Sequence, residues 1–198
     1  MNKFSHNFHS HWIKVKFYKE MPNPKDYRRV SGVHFCEATK QAILSPIILD
    51  KESISCPGAQ YVFGWKPDFG NEFLDTCQEK IKTSKKKIKS LLSGISCLKE
   101  PFNYIGLNTE GKPDLFISYV QPEEVMYLIK VYQRHTGKNL DITLCNMMPI
   151  CGYVTVRTYL TEKIGLSFGC DNSRGLADVG RDRLAIGIPN RLAKLFID

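Results

Sequence analysis

An α/β or α+β fold, with helices packed on a mixed and partly parallel sheet, is the class that the sequence predicts. Apolar segments that suit buried strands alternate along the chain with amphipathic segments that suit helices. The length of 198 residues fits one domain comfortably, so we predict a single domain over residues 1–198. Within it we expect a lysine-rich helical insertion at about residues 71–100.

The first half of the chain supports this class element by element. Residues 11–20 alternate apolar side chains with lysines, which predicts a half-exposed strand, and residues 35–44 carry apolar side chains on one helical side. The apolar run 47–49 suits a short buried strand. A helix is then predicted over residues 57–63, with a proline as its first residue. Proline has no backbone N–H, and at the first helical position an N–H would have no partner within the helix, so nothing is lost. Residues 84–95 place apolar side chains at helical spacing beneath a lysine face.

The second half continues the alternation. Two strands, 104–107 and 115–120, flank a polar turn, and the second is continuously apolar, as in a strand covered on both faces. Residues 121–137 predict a helix, with proline and acids in its first turn, an apolar face and a terminal glycine. Beyond it we predict strands at 142–145, 165–168 and 183–188, and helices at 151–160 and 190–196.

The basic charge of the chain is local. The formal net charge is +8, and six of these charges belong to lysines between residues 80 and 89, which leaves about +2 elsewhere. Such a run on an amphipathic helix is typical of a solvated face. We therefore do not expect nucleic acid as a partner.

The compartment sets how the cysteines are interpreted. No run of apolar residues approaches the roughly 18 needed to span a bilayer, and the N-terminus lacks the apolar stretch of a secretory signal. We therefore expect a cytoplasmic protein without a membrane partner. In a reducing compartment the seven cysteines are free thiols, metal or cluster ligands, or nucleophiles.

Three cysteines lie where an apolar segment gives way to a turn or a helix start: Cys56, Cys151 and Cys170. Open α/β sheets place ligands beyond the carboxyl ends of their strands, so this position favours a functional site. A small buried hydrophobe is an equally good interpretation of each. Cys36 differs, because it lies inside a predicted helix. For the others we predict buried inert thiols: Cys77, Cys97 and Cys145.

The segment after Cys170 adds polar groups to the candidate site. Ser173 and Arg174 follow within one turn, and a guanidinium beside a thiolate would bind an anionic substrate or lower the pKa of the cysteine. A polar loop tied together by arginine–aspartate pairs is the competing interpretation.

Five short motifs occur in order: Phe-Cys-Glu-Ala at 35–38, Ser-Cys-Pro-Gly-Ala at 55–59, Cys-Gly at 151–152, Leu-Ser-Phe-Gly-Cys at 166–170 with Ser173 and Arg174, and Ala-Ile-Gly-Ile-Pro at 185–189. In these motifs the chain resembles an uncharacterised prokaryotic family, domain of unknown function 169, from about Trp12 to the C-terminus. The resemblance names no reaction. It implies that the residues of the site are Cys36, Cys56, Cys151 and Cys170.

Four cysteines spread along a chain suit a cluster held by ligands from separate loops. A [4Fe–4S] centre takes four cysteines and does not require close spacing in the sequence. Our first hypothesis is an iron–sulfur protein with a redox or sulfur-handling role, which works with a small molecule or a redox partner. The second is a cluster-free enzyme with Cys170 or Cys56 as nucleophile and Arg174 as anion anchor. The third is a non-catalytic module that binds a small anion or nucleic acid. Whether the protein is an enzyme stays open.

Overall fold

The computed structural model describes residues 11–23, 27–100, 102–177 and 179–197. The strands in this part of the chain are β1 (Ile13–Tyr18), β2 (Arg28–Arg29), β3 (Ile47–Leu49), β4 (Tyr104–Leu107), β5 (Leu115–Val120), β6 (Gly165–Ser167) and β7 (Leu184–Pro189). The helices are α1 (Phe35–Gln41), α2 (Pro57–Val62), α3 (Gly70–Ile81), α4 (Lys85–Ser93), α5 (Pro122–Thr136), α6 (Arg157–Thr161), α7 (Asp171–Leu176) and α8 (Asn190–Ala193). A π-helix, Pro149–Val156, runs directly into α6.

All seven described strands join one sheet in the order β2-β3-β4-β1-β5-β7-β6. The pair β2 and β3 is parallel, and the other neighbouring pairs are antiparallel. The predicted α/β class with a mixed, partly parallel sheet is therefore confirmed. Every residue of β5 is buried, in agreement with the continuously apolar sequence of that segment.

The sheet separates two apolar cores. Successive side chains of a strand point to opposite faces, so Ala185 and Ile186 of β7 belong to different cores. The larger core packs α1, α2 and the π-helix against one face, around residues such as Phe35 and Phe63. The smaller core packs α5 and α8 against the other face, around residues such as Leu128.

The structure corrects the predicted elements in several places. The strand predicted at 142–145 is wrong: this segment is irregular, Leu144 is exposed, and β6 is the described neighbour of β7 on that side. Two further elements were not predicted, namely β2 and α7, whereas α3 lies in the segment where the helical insertion at about residues 71–100 is expected. The terminal helix α8 also ends earlier than predicted, at Ala193.

The helices in the described residues are short. The longest, α5, has 15 residues, and none combines the length and the apolar character that crossing a bilayer requires.

Candidate functional site

The four predicted cysteines line one cavity of about 660 Å³. Each lies at or near the start of a different helix: Cys36 in the first turn of α1, Cys56 just before α2, Cys151 in the first turn of the π-helix and Cys170 just before α7. The fold thus brings together four thiols that are up to 134 residues apart in the sequence.

Local capping fixes the position of Cys36. His34 caps α1, and its backbone N–H donates to the Glu37 carboxylate at 3.3 Å. The Thr39 hydroxyl lies 2.7 Å from the carbonyl oxygen of Cys36 and 2.7 Å from the hydroxyl of the buried Tyr119. The helix start that carries Cys36 is therefore tied directly to strand β5.

Cys56 is the residue that precedes α2, and Pro57 is the first residue of that helix. The fixed φ of proline suits this position, and its missing N–H removes a donor that would be unpaired. The backbone N–H groups of Ala59 and Gly58 face the Cys56 sulfur. These N–H groups favour the thiolate form of Cys56 and so oppose the effect of burial on its pKa.

Cys151 lies in the part of the site with the least regular backbone. It belongs to an eight-residue π-helix, a rare form that is frequent at functional sites. Met148, just before the π-helix, has φ of 49°, in the left-handed region that non-glycine residues seldom adopt. Strand β7 lies so close beneath the π-helix that a Cβ on Gly187 would overlap the carbonyl oxygen of Val154. Glycine is therefore needed here for close approach.

Cys170 is placed by a turn at the end of β6. Gly169 has φ of 81°, a backbone conformation that favours glycine, and the chain turns sharply there. The backbone N–H of Cys170 donates to the Ser173 hydroxyl at 2.8 Å, and that hydroxyl lies 2.9 Å from the carbonyl oxygen of Cys170. Ser173 is fully buried at the cavity wall. It holds the turn that presents Cys170.

Arg174 connects two segments of the backbone near the site. Its guanidinium donates to the carbonyl oxygen of Gly180 at 2.7 Å and to that of Arg183 at 3.2 Å. It thus ties α7 to the segment that enters β7. The competing interpretation, a loop tied together by arginine–aspartate pairs, stays a prediction, because Asp178 lies outside the described residues.

Burial and mutual repulsion dominate the electrostatics of the thiols. Burial, followed by the charges of Cys170 and Cys56, raises the pKa of Cys36 to about 12. Burial raises the pKa of Cys151 well above its usual range, and Cys56, Cys170 and Cys36 raise it further. Burial also raises the pKa of Cys56, against the opposing N–H groups of its helix. Without a bound cation these three thiols hold their protons at neutral pH.

The donor set of the cavity is soft. Thiolates suit iron–sulfur clusters, zinc and copper(I). Within the described residues, no three histidine, cysteine, aspartate or glutamate side chains are close enough to hold a single metal ion. A cluster differs from a single ion because each thiolate binds a different iron, so its ligands surround a larger core. The chemistry of the four thiols fits such a cluster.

The cavity also contains residues that sequence reasoning missed. Cys77 of α3, predicted to be an inert buried thiol, is buried at the cavity wall. Phe73 and Cys77 are four residues apart and therefore share one face of α3. That spacing is the signal that could have revealed this face of the helix. The other two cysteines, Cys97 and Cys145, are half-buried.

The rim of the cavity carries charge. Lys80 of α3 and Asp171 of α7 form an ion pair with 3.6 Å between nitrogen and oxygen, and both side chains are exposed. This pair connects α3 to the helix that follows Cys170. Exposed pairs contribute little stability, so it is a weak link between the two helices.

Comparison with known proteins identifies a family. No curated protein and no solved structure matches the chain. A family model described as domain of unknown function 169, "Uncharacterised ArCR", matches residues 7–197, which is nearly the whole chain. The chain therefore belongs to the domain of unknown function 169 family.

Proposed function

We propose that this protein binds a [4Fe–4S] cluster through Cys36, Cys56, Cys151 and Cys170 and uses it in a redox or sulfur-handling role. The observation that carries this proposal is that four thiols from four separate helices line one cavity. Four cysteine thiolates are the usual ligand set of such a cluster. Ligation of a cluster requires free thiols, in agreement with seven free cysteines and with the proposed cytoplasmic location, where thiols stay reduced.

The electrostatics give a reason for a cationic occupant. Burial and neighbouring thiols raise the pKa values of Cys36, Cys56 and Cys151, so ionising several of them together is unfavourable in the metal-free protein. Iron ions compensate the thiolate charges, and binding then releases the thiol protons. The cavity is therefore better suited to hold a metal cluster than to keep four free thiolates.

The same observations speak against Cys56 as a free nucleophile. A nucleophilic thiol needs a lowered pKa, whereas burial raises the pKa of Cys56, one of the two proposed nucleophiles. Arg174, the proposed anion anchor, already donates to two backbone carbonyls. No specific observation favours this alternative.

The partner that we propose is a small molecule or a redox protein. The cavity volume of about 660 Å³ falls within the range of about 300–1,000 Å³ that is usual for small-molecule pockets. The lysines of α4 do not carry a nucleic-acid site in this proposal, because the thiols that define the site lie on other helices.

Anaerobic reconstitution with ferrous iron and sulfide tests the proposal. Cys36→Ala and Cys170→Ala should each lose most of the bound iron and acid-labile sulfide and the broad visible absorption of a cluster. The matched control is Cys97→Ala, whose thiol is half-buried outside the cavity wall; it should bind as the natural sequence does. Equal iron and sulfide in all four proteins would show that the iron is bound elsewhere and would contradict the proposal.

A further inference from the structure

Five cysteines line the cavity, one more than a [4Fe–4S] cluster takes as ligands. The fifth, Cys77, is contributed by α3, which forms a wall apart from the four helix starts that carry the other thiols. It is 7% exposed, so it is nine-tenths buried and borders the cavity.

Contacts of α3 place this helix against α2, the helix that Cys56 precedes. The ring of Phe69, next to the first residue of α3, lies 3.7 Å from the ring of Tyr61 in α2, measured between centroids. One turn later, the tip of the Phe73 ring lies 3.4 Å from the position that a Cβ on Gly58 would occupy. Phe73 thus lies against the start of α2, two residues after Cys56.

Cys77 lies on the same face of α3 as Phe73. Phe73 and Cys77 are four residues apart, and residues at this spacing are neighbours on one helix face. Cys77 therefore lies on the side of the cavity where α3 packs against the start of α2, which is the side of Cys56.

We infer that Cys77 is an alternative thiolate ligand of the metal site, which would take the place of Cys56 on the iron that Cys56 binds. This inference rests on the proposed cluster. It assigns distinct roles to the five thiols: Cys36, Cys151 and Cys170 are each required, whereas Cys56 and Cys77 can substitute for one another.

Iron content after anaerobic reconstitution with ferrous iron and sulfide distinguishes these roles. The variants are Cys56→Ala, Cys77→Ala, the double variant Cys56→Ala/Cys77→Ala, and Cys170→Ala as the reference for loss. Alanine is used because a serine hydroxylate could itself bind iron. We expect each of the first two single variants to keep at least half of the iron and sulfide of the natural sequence, and the double variant to fall to the level of Cys170→Ala.

The inference is overturned if Cys56→Ala binds as little iron as Cys170→Ala while the natural sequence binds its full complement of iron. The proposed cluster would survive that result. An unloaded natural sequence would instead remove the proposed function, so the two failures are distinct. The double variant Cys56→Ala/Cys97→Ala controls for the second substitution and should keep its iron; loss of iron there as well would also overturn the inference. Thermal melts of the metal-free variants, which should lie close to the natural sequence, show that loss of iron does not arise from unfolding.

Discussion

The two apolar cores of this protein are built differently. The smaller one, around α5, rests on a 15-residue helix with a proline and two glutamates in its first turn and a glycine with φ of 67° at its end. The larger one meets the cavity, where the backbone consists of short helix starts, a π-helix and a left-handed methionine, Met148. Both cores bury apolar side chains on the same sheet, and the cysteines that line the cavity lie on only one side of it.

This difference separates what supports the fold from what forms the site. The α5 core follows the local rules of capping and periodicity throughout. The cavity side departs from them at Met148 and at the π-helix, where unusual backbone places Cys151 among the other thiols. Local departures of this kind are expected where a structure supports function at the expense of regularity.

The largest expected effect is on stability, from the α5 core. Leu128 is 1% exposed and packs with β5 and β7 residues, so Leu128→Ala should lower the free energy of unfolding by about 2–5 kcal/mol. Bound iron per folded molecule should stay the same, because Leu128 lies away from the cavity. Denaturant unfolding and iron analysis measure the two properties. If folded Leu128→Ala bound less iron than the natural sequence, the proposed separation between the α5 core and the site would be wrong.

A substitution at Gly187, the glycine of β7 beneath the π-helix, should affect both stability and iron content. In Gly187→Ala the new Cβ would overlap the Val154 carbonyl, so the strand or the π-helix must shift; we expect about 1–3 kcal/mol of destabilisation and a reduced iron content. Gly175→Ala in α7 is the matched control, since nothing lies within 4 Å of its added Cβ and alanine favours a helix. Comparable unfolding curves for the two variants would contradict the close approach of β7 to the π-helix.

The metal-free protein should lose stability in alkali. The pKa of Cys36 rises from an ordinary value of 9.0 to about 12 in the folded state, so the unfolded chain ionises this thiol first. A group whose pKa is higher in the folded state contributes fully to the free energy of unfolding below its unfolded pKa. For Cys36 this contribution is lost as the pH rises from about 9 toward 12. Unfolding free energies at pH 8, 9 and 10 should therefore fall more steeply for the natural sequence than for Cys36→Ala. Parallel pH profiles would show that the thiol is not buried as described.

The smallest effect is expected on α4. Replacing Lys85, Lys86 and Lys87 with glutamine should change stability by at most about 0.5 kcal/mol at each position, because these side chains are exposed. Lys85 forms an ion pair with Asp75, but both side chains are about half exposed, so the pair contributes little. Thermal melting and iron content should both stay close to those of the natural sequence. A marked loss of salt-dependent nucleic-acid binding in this variant would instead support a binding module.

The sequence was sufficient to predict the regular parts of the fold. Strand β5 and helix α5 were predicted to within about one residue, because continuous apolar character and strong end signals act locally. The strand predicted at 142–145 failed because a short apolar run does not reveal whether a sheet edge is available beside it. The segment of α7 resembles a loop in sequence, because Gly169, Gly175 and several polar residues obscure a short helix that begins at the cap formed by Cys170 and Ser173.

The candidate site was only partly predictable. The four cysteines were selected from their turn positions and the family resemblance, whereas their placement around one cavity depends on long-range packing. The same limit explains Cys77 and Arg174. Cys77 was assigned to the inert thiols because nothing in its immediate sequence shows that Phe73 turns the same face of α3 toward α2. Arg174 is adjacent to the motif, but its guanidinium binds backbone carbonyls that only the fold brings near it.

Iron and acid-labile sulfide in protein purified without oxygen test the central claim most directly, together with the absorption spectrum before and after reduction. The account predicts about four irons and four sulfides per chain and a broad visible absorption that bleaches on reduction. Protein that stays colourless and free of iron, both as purified and after anaerobic reconstitution, would contradict it.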